Sequence, residues 1–103
     1  MAIELKIKRL DKELPLPTYA YTGDAAFDLL SREEVVLLPG ERKTIPVGIA
    51  IEIPIGYVGL IWDKSGISHR GGIKTLGGVI DSGFRGEVMC GVINLSDGSY
   101  TFK

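Results

Sequence analysis

The chain has 103 residues, a mass of 11.2 kDa and a formal charge of −1, from 12 Lys and Arg against 13 Asp and Glu. That is room for one thin-cored domain, and it leaves no basic field to hold duplex DNA or an anionic membrane. Hydrophobic residues at 45% and charged residues at 24% argue against disorder, and Cys90, the single cysteine, excludes an intrachain disulfide and a Cys-rich zinc site. From Met1 to Asp11 the sequence is charged and has no long apolar run, so neither signal peptide nor membrane span is expected and a cytoplasmic protein is. Within it Ile3, Leu5 and Ile7 alternate with Glu4, Lys6 and Lys8, the period of a half-buried strand. Leu14-Pro15-Leu16-Pro17 forbids helix and favours an extended connection. Val35 to Leu38 is a short apolar run that stops at the Pro39-Gly40 turn signal. Lys43 to Ile53 alternates as one further strand and ends at Pro54-Ile55-Gly56. Tyr57 to Trp62 and Glu87 to Leu95 read as strands, and Ser99 to Phe102 as the start of another. Ser65 to Arg70 is the one helix candidate, of one or two turns. With 14 Gly and 5 Pro punctuating short strands, the pattern predicts an all-β sandwich or closed barrel with one short helix at most.

Three clusters place polar residues between apolar strands. Ala25-Ala26-Phe27-Asp28-Leu29 sets a carboxylate in an apolar stretch. In Trp62-Asp63-Lys64-Ser65-Gly66 a strand end meets a turn and a helix start. A hydroxyl, free backbone N–H groups and a lysine there make a workable phosphate cradle, though for K-S-G taken alone an N-capping Ser65 beside a solvated Lys64 is the commoner arrangement. In the third cluster, glycines at 77, 78, 83 and 86 surround Val79, Ile80, Asp81 and Phe84. This suggests a β-hairpin whose backbone comes close to a partner, with main chain to read a planar base, Phe84 as a stacking face and Asp81 as a rigidly held general base. A glycine-rich hairpin with Asp81 in an Asx-turn satisfies the same residues.

The run from Lys64 to Asp81, K-S-G-I-S-H-R-G-G-I-K-T-L-G-G-V-I-D, resembles the second and third motifs of the trimeric dUTPase family, an R-S-G motif followed by G-V-I-D-x-x-Y-R-G. The first cluster is similar to that family's A-G-Y-D-L motif, and the Pro39-Gly40-Glu41-Arg42 turn and Asn94 also fit it. The resemblance implies a distorted jelly roll of β-clip type, assembled as a homotrimer with active sites at subunit interfaces, that hydrolyses dUTP to dUMP and pyrophosphate with Mg²⁺ on the triphosphate. By that resemblance Asp81 activates the attacking water, and Phe84 lies under the sugar. Backbone around Gly78, Val79 and Ile80 reads the uracil edge, and Lys64, Ser65 and Gly66 hold phosphates. Asp28 serves the metal through water.

Four positions depart from the family pattern. Lys64 stands for the usual Arg and loses the bidentate fork; Phe84 stands for Tyr and loses only a hydroxyl. Ala26 replaces a Gly, which matters only where the backbone needs positive φ, and Thr75 stands where many members carry an Asn near the uracil. The family continues with an R-x-A-Q motif and a glycine-rich arm, so residues 1–103 read as one dUTPase-like domain short of its C-terminal motifs. A non-catalytic nucleotide-binding protein of this family is the alternative. A dCTP deaminase is disfavoured because its catalytic Glu would fall at Gly91. Among the remaining residues, Trp62 is expected in the core or at the trimer interface and His69 at solvent or an interface. Cys90 is expected as a buried small apolar residue, and Arg85 either orders a neighbouring subunit or pairs with Glu87.

Overall fold

A computed structural model of the chain describes residues 3–103. The order is β1 (Lys6–Arg9), β2 (Val35–Leu37), β3 (Arg42–Pro46), β4 (Ile49–Glu52), β5 (Gly59–Leu60), α1 (Ser65–Gly71), β6 (Ile73–Leu76), β7 (Val79–Ile80), β8 (Met89–Asn94) and β9 (Tyr100–Phe102). The strands are short because glycine, proline and loop segments interrupt every apolar run. All pairings are antiparallel and make four small sheets: β1 with β4, β2 with β9, β3 with β8 and β6, and β5 with β7. Among the described residues the fold is thus strand-rich with one short helix, and these sheets do not close into a barrel.

The expected strand from Lys43 to Ile53 is two strands. Pro46 ends β3, and Gly48 then adopts φ of 77°, a left-handed conformation open to glycine but strained for other residues. Its buried N–H donates to Glu87 Oε2 at 2.9 Å, and its carbonyl accepts from Leu10 N at 2.7 Å. Glu87 is held in turn by Arg32, 3.2 Å from Nη1 to Oε1. Arg85 therefore does not pair with Glu87; it reaches Glu52 at 3.1 Å and the Ser82 carbonyl at 2.6 Å.

Alternation supplies the core. Val47, Ile49, Ile51 and Ile53 bury one face with Ile80 and Val88, while Val35, Leu37, Ile45, Ile73 and Val92 form a second cluster. Cys90, half-buried, packs against both, and burial pushes its thiol upward, aided by the negative charge of Asp63. Asn94 is fully buried and fully bonded: its Nδ2 donates to the Leu37 and Gly98 carbonyls, and its Oδ1 accepts from Ser96 N and Oγ. This one side chain ties β2 and β8 to the turn leading into β9.

Candidate active site

The second sequence cluster forms as the end of an irregular connection and the first turn of α1. Lys64, not Ser65, occupies the N-cap, in extended conformation and without a side-chain capping bond. Ser65 is the first helical residue, so the N-capping reading of its hydroxyl is incorrect. The α1 chain turns out at Gly72, whose N–H bonds back to the Ser68 carbonyl at 3.0 Å. Arg70 lies over the same turn by helical spacing: a Cβ on Gly66 would sit 2.8 Å from Arg70 Nη2. This guanidinium adds a positive charge beside Lys64 that the motif alone did not single out.

Lys64 Nζ donates to Asp28 Oδ2 at 2.8 Å, so the first and second clusters meet. Asp28 comes from a loop without regular structure, whose neighbour Phe27 packs edge-on against Tyr19 with ring centroids 5.9 Å apart. Among the described residues positive φ occurs at glycines alone, so Ala26 carries no backbone strain. Asp28, Lys64, Thr75 and Ile80 line one cleft of about 900 Å³, with core isoleucines as its floor.

One carboxylate in this cleft was not assigned by the motifs. Asp63 Oδ1 accepts from Thr75 N at 2.7 Å and from Thr75 Oγ1 at 3.0 Å, and Oδ2 accepts from Lys74 Nζ at 2.6 Å. The Lys74 ammonium first, and then the Thr75 backbone N–H, hold its carboxyl well below the usual carboxylate range, at about 2. The partners lie 11 and 12 residues away across a helix, a spacing that no local pattern reports.

The third cluster differs from the expected hairpin. Val79–Ile80 pairs with Gly59–Leu60 of β5, and β8 pairs instead with β3 and β6. Of Tyr57 to Trp62, Gly59–Leu60 alone is strand. The close backbone approach is to the protein's own chain: Gly78 has φ of 117°, its carbonyl accepts from Ile61 N at 2.8 Å, and a Cβ there would lie 2.5 Å from the Ile61 carbonyl oxygen. Asp81 makes a backbone turn, with Phe84 N donating to its carbonyl at 3.1 Å, rather than an Asx-turn through its side chain. Its carboxylate is exposed and, among the described residues, accepts no hydrogen bond. Phe84 is 44% exposed and Val79 67% exposed. Ser65, Gly66, Gly78, Val79, Asp81 and Phe84 do not line the Asp28–Lys64 cleft. Trp62 does line it and is 78% exposed, so it is not a core residue.

A family model described as dUTPase matches residues 12–103. The chain belongs to the dUTPase family. It is 46% identical over 97 residues to a deoxyuridine 5'-triphosphate nucleotidohydrolase of Mycobacterium sp. (strain JLS), covering 92% of this chain and 63% of that relative. It is also 46% identical over 94 residues to the protein of the same name from Thermobifida fusca, covering 89% and 52%. The chain thus spans between half and two thirds of the length of these relatives. Among solved structures, the Staphylococcus bacteriophage 80alpha dUTPase superposes with a TM-score of 0.90 at 29% identity, covering 97% of this chain and 82% of that one. A mutant dUTPase of phage phi11 of S. aureus, described as coordinating a structural Mg(II) ion, gives 0.85 at 33% identity, covering 91% and 61%. The jelly-roll-like, all-β expectation agrees with these neighbours.

The donor set bears on a metal. Among the described residues no group of three or more His, Cys, Asp or Glu side chains converges to hold an ion. Asp28 offers a single exposed carboxylate, with Oδ2 paired to Lys64, and one such oxygen donor fits a hard, largely hydrated cation of the Mg²⁺ kind. Among the described residues no helix is long and apolar enough to cross a membrane.

Proposed function

We propose that this chain is a dUTP diphosphatase, which hydrolyses dUTP to dUMP and pyrophosphate. The observation that carries the reading is the meeting of Asp28 and Lys64 at the mouth of one cleft, since this joins two motifs that the family keeps apart in sequence. Lys64, with Ser65, Gly66 and the overlying Arg70, supplies positive charge and N–H donors for a triphosphate. Backbone around Gly78, Val79 and Ile80, with Thr75, faces the base, and Phe84 packs under the sugar. Asp81, exposed and free of side-chain partners among the described residues, takes a proton from water as that water attacks the α-phosphorus. The bond from that phosphorus to the bridging oxygen breaks, and pyrophosphate leaves. Mg²⁺, when bound, would neutralise phosphate charge as a Lewis acid, and Asp28 would be the residue that holds it.

The working form we propose is a homotrimer in the cytoplasm. Thr75 and Ile80 line the cleft with the phosphate-binding lysine, whereas Gly78, Val79, Asp81 and Phe84 stand outside it, which suits a site completed by a second copy. Leu60 and Val79, paired across β5 and β7, are both exposed, as is Trp62, and a second copy would cover this apolar surface. A single free thiol suits a reducing compartment. Incubation with dUTP and Mg²⁺ should release pyrophosphate, and incubation with dCTP should release no ammonia. Ammonia without pyrophosphate would overturn the reading in favour of a deaminase.

A further inference from the structure

We propose that Asp63 is a positioning residue that fixes the Lys64–Ser65–Gly66 turn against the edge of β6, so that the phosphate-binding groups are set before nucleotide arrives. The proposal rests on the diphosphatase reading above. β6 is the outer strand of the β3–β8–β6 sheet, and the Thr75 N–H on its open edge donates to Asp63 instead of to a neighbouring strand. The carboxylate thus takes the place of a missing strand partner, and adds the Thr75 hydroxyl and the Lys74 ammonium to the same grip. Its side chain is 26% exposed, whereas those of Lys64 and Asp28 are 60% and 53% exposed.

The leverage is covalent. Asp63 and Lys64 are adjacent, so a shift of one α-carbon passes to the next across a planar peptide. Beyond Lys64 the turn continues rigidly, because the Lys64 carbonyl accepts the first helical bond from Ser68 N at 2.8 Å. Without Asp63 the side-chain restraint left on the turn itself is the exposed Lys64–Asp28 pair, a weak one, while Ile67 further along α1 stays packed on the core. A turn so loosened loses phosphate geometry first and contacts to the base last. β6 also leads directly through Gly77 and Gly78 to Val79, so the same grip relates the phosphate end of the site to the segment assigned to the base.

The test is equilibrium binding of deoxyuridine, dUMP and the non-hydrolysable dUpNHpp, followed by fluorescence of Trp62 in the cleft, for the wild type, Asp63→Ala and Asp63→Asn. Asp63→Ala should weaken dUpNHpp by about tenfold or more, dUMP by less, and deoxyuridine by no more than about twofold. Asp63→Asn keeps an oxygen that accepts both Thr75 bonds and should recover most of that affinity. Equal weakening of all three ligands, or none, would overturn the positioning role while wild-type binding stands. A wild type that binds none of the three would overturn the diphosphatase reading and this proposal with it. Should Asp63→Ala fail to fold, Lys74→Met removes the ammonium bond alone and should give a smaller loss, again graded by phosphate; a flat loss would contradict the proposal.

Discussion

Lys64 Nζ and Asp28 Oδ2 lie 2.8 Å apart although 36 residues separate them in sequence. Both side chains are more than half exposed, so the pair contributes little to folding and its value lies in what it places at the cleft mouth. A cation that would meet phosphate is held by a carboxylate that would meet the phosphate's metal ion.

Asp28→Asn should therefore change stability by no more than about 1 kcal/mol, read by urea denaturation. Its turnover of dUTP should fall by about tenfold or more, which corresponds to about 1.4 kcal/mol of transition-state stabilisation. Lys64→Arg restores a planar fork for phosphate and should tighten dUpNHpp binding by a few-fold (~0.5–1 kcal/mol).

Acid stability should report Asp63. Its carboxyl is held at about 2 against an ordinary 3.8, by Lys74 first and Thr75 next. A depressed folded pKa stabilises the fold fully above 3.8 and loses that contribution as pH falls from 3.8 through 2. Thermal melts between pH 6 and pH 2 should show the wild type losing more stability across that window than Asp63→Asn; parallel curves would remove Asp63 as the cause.

Gly78→Ala should destabilise strongly, because φ of 117° disfavours a side chain and the new Cβ would lie 2.5 Å from the Ile61 carbonyl oxygen. A loss above about 2 kcal/mol is expected. Gly83→Ala makes a matched control, since its φ is not positive and nothing lies within 4 Å of the added Cβ. It should change stability by no more than about 0.5 kcal/mol in the same denaturation experiment.

Asn94→Leu should be among the costliest substitutions. It removes the partner of the buried Leu37 carbonyl and of the part-buried Ser96 N–H, at about 1–3 kcal/mol each, while the Gly98 carbonyl keeps the Ser96 hydroxyl. Chemical denaturation should show a loss of about 3 kcal/mol or more.

What was legible in the sequence follows the range of the interaction. Period-two alternation announced β1 and the stretch that holds β3 and β4, and the apolar run Val35 to Leu38 announced β2, because burial of a strand face is written in neighbouring residues. The break at Pro46 and Gly48 was masked by an alternation that runs through it, and the Glu87 carboxylate that receives the Gly48 N–H is distant in sequence. The helix at Ser65 and the polar clusters were visible as local composition. The β7–β5 pairing, the Arg85–Glu52 contact and the Asp63–Thr75 grip were not, because each depends on chain segments that only the fold brings together. Trp62 illustrates the same limit: its size argues for burial, and the structure leaves it on the cleft wall.

In the proposed reaction Asp81 activates the water that cleaves dUTP. The direct measurement is pyrophosphate release from dUTP with Mg²⁺ by the wild type and Asp81→Asn, paired with dUpNHpp affinity of both. Asp81→Asn should lose at least about 10²-fold in turnover and bind dUpNHpp within a few-fold of the wild type. Turnover retained in Asp81→Asn would contradict that role.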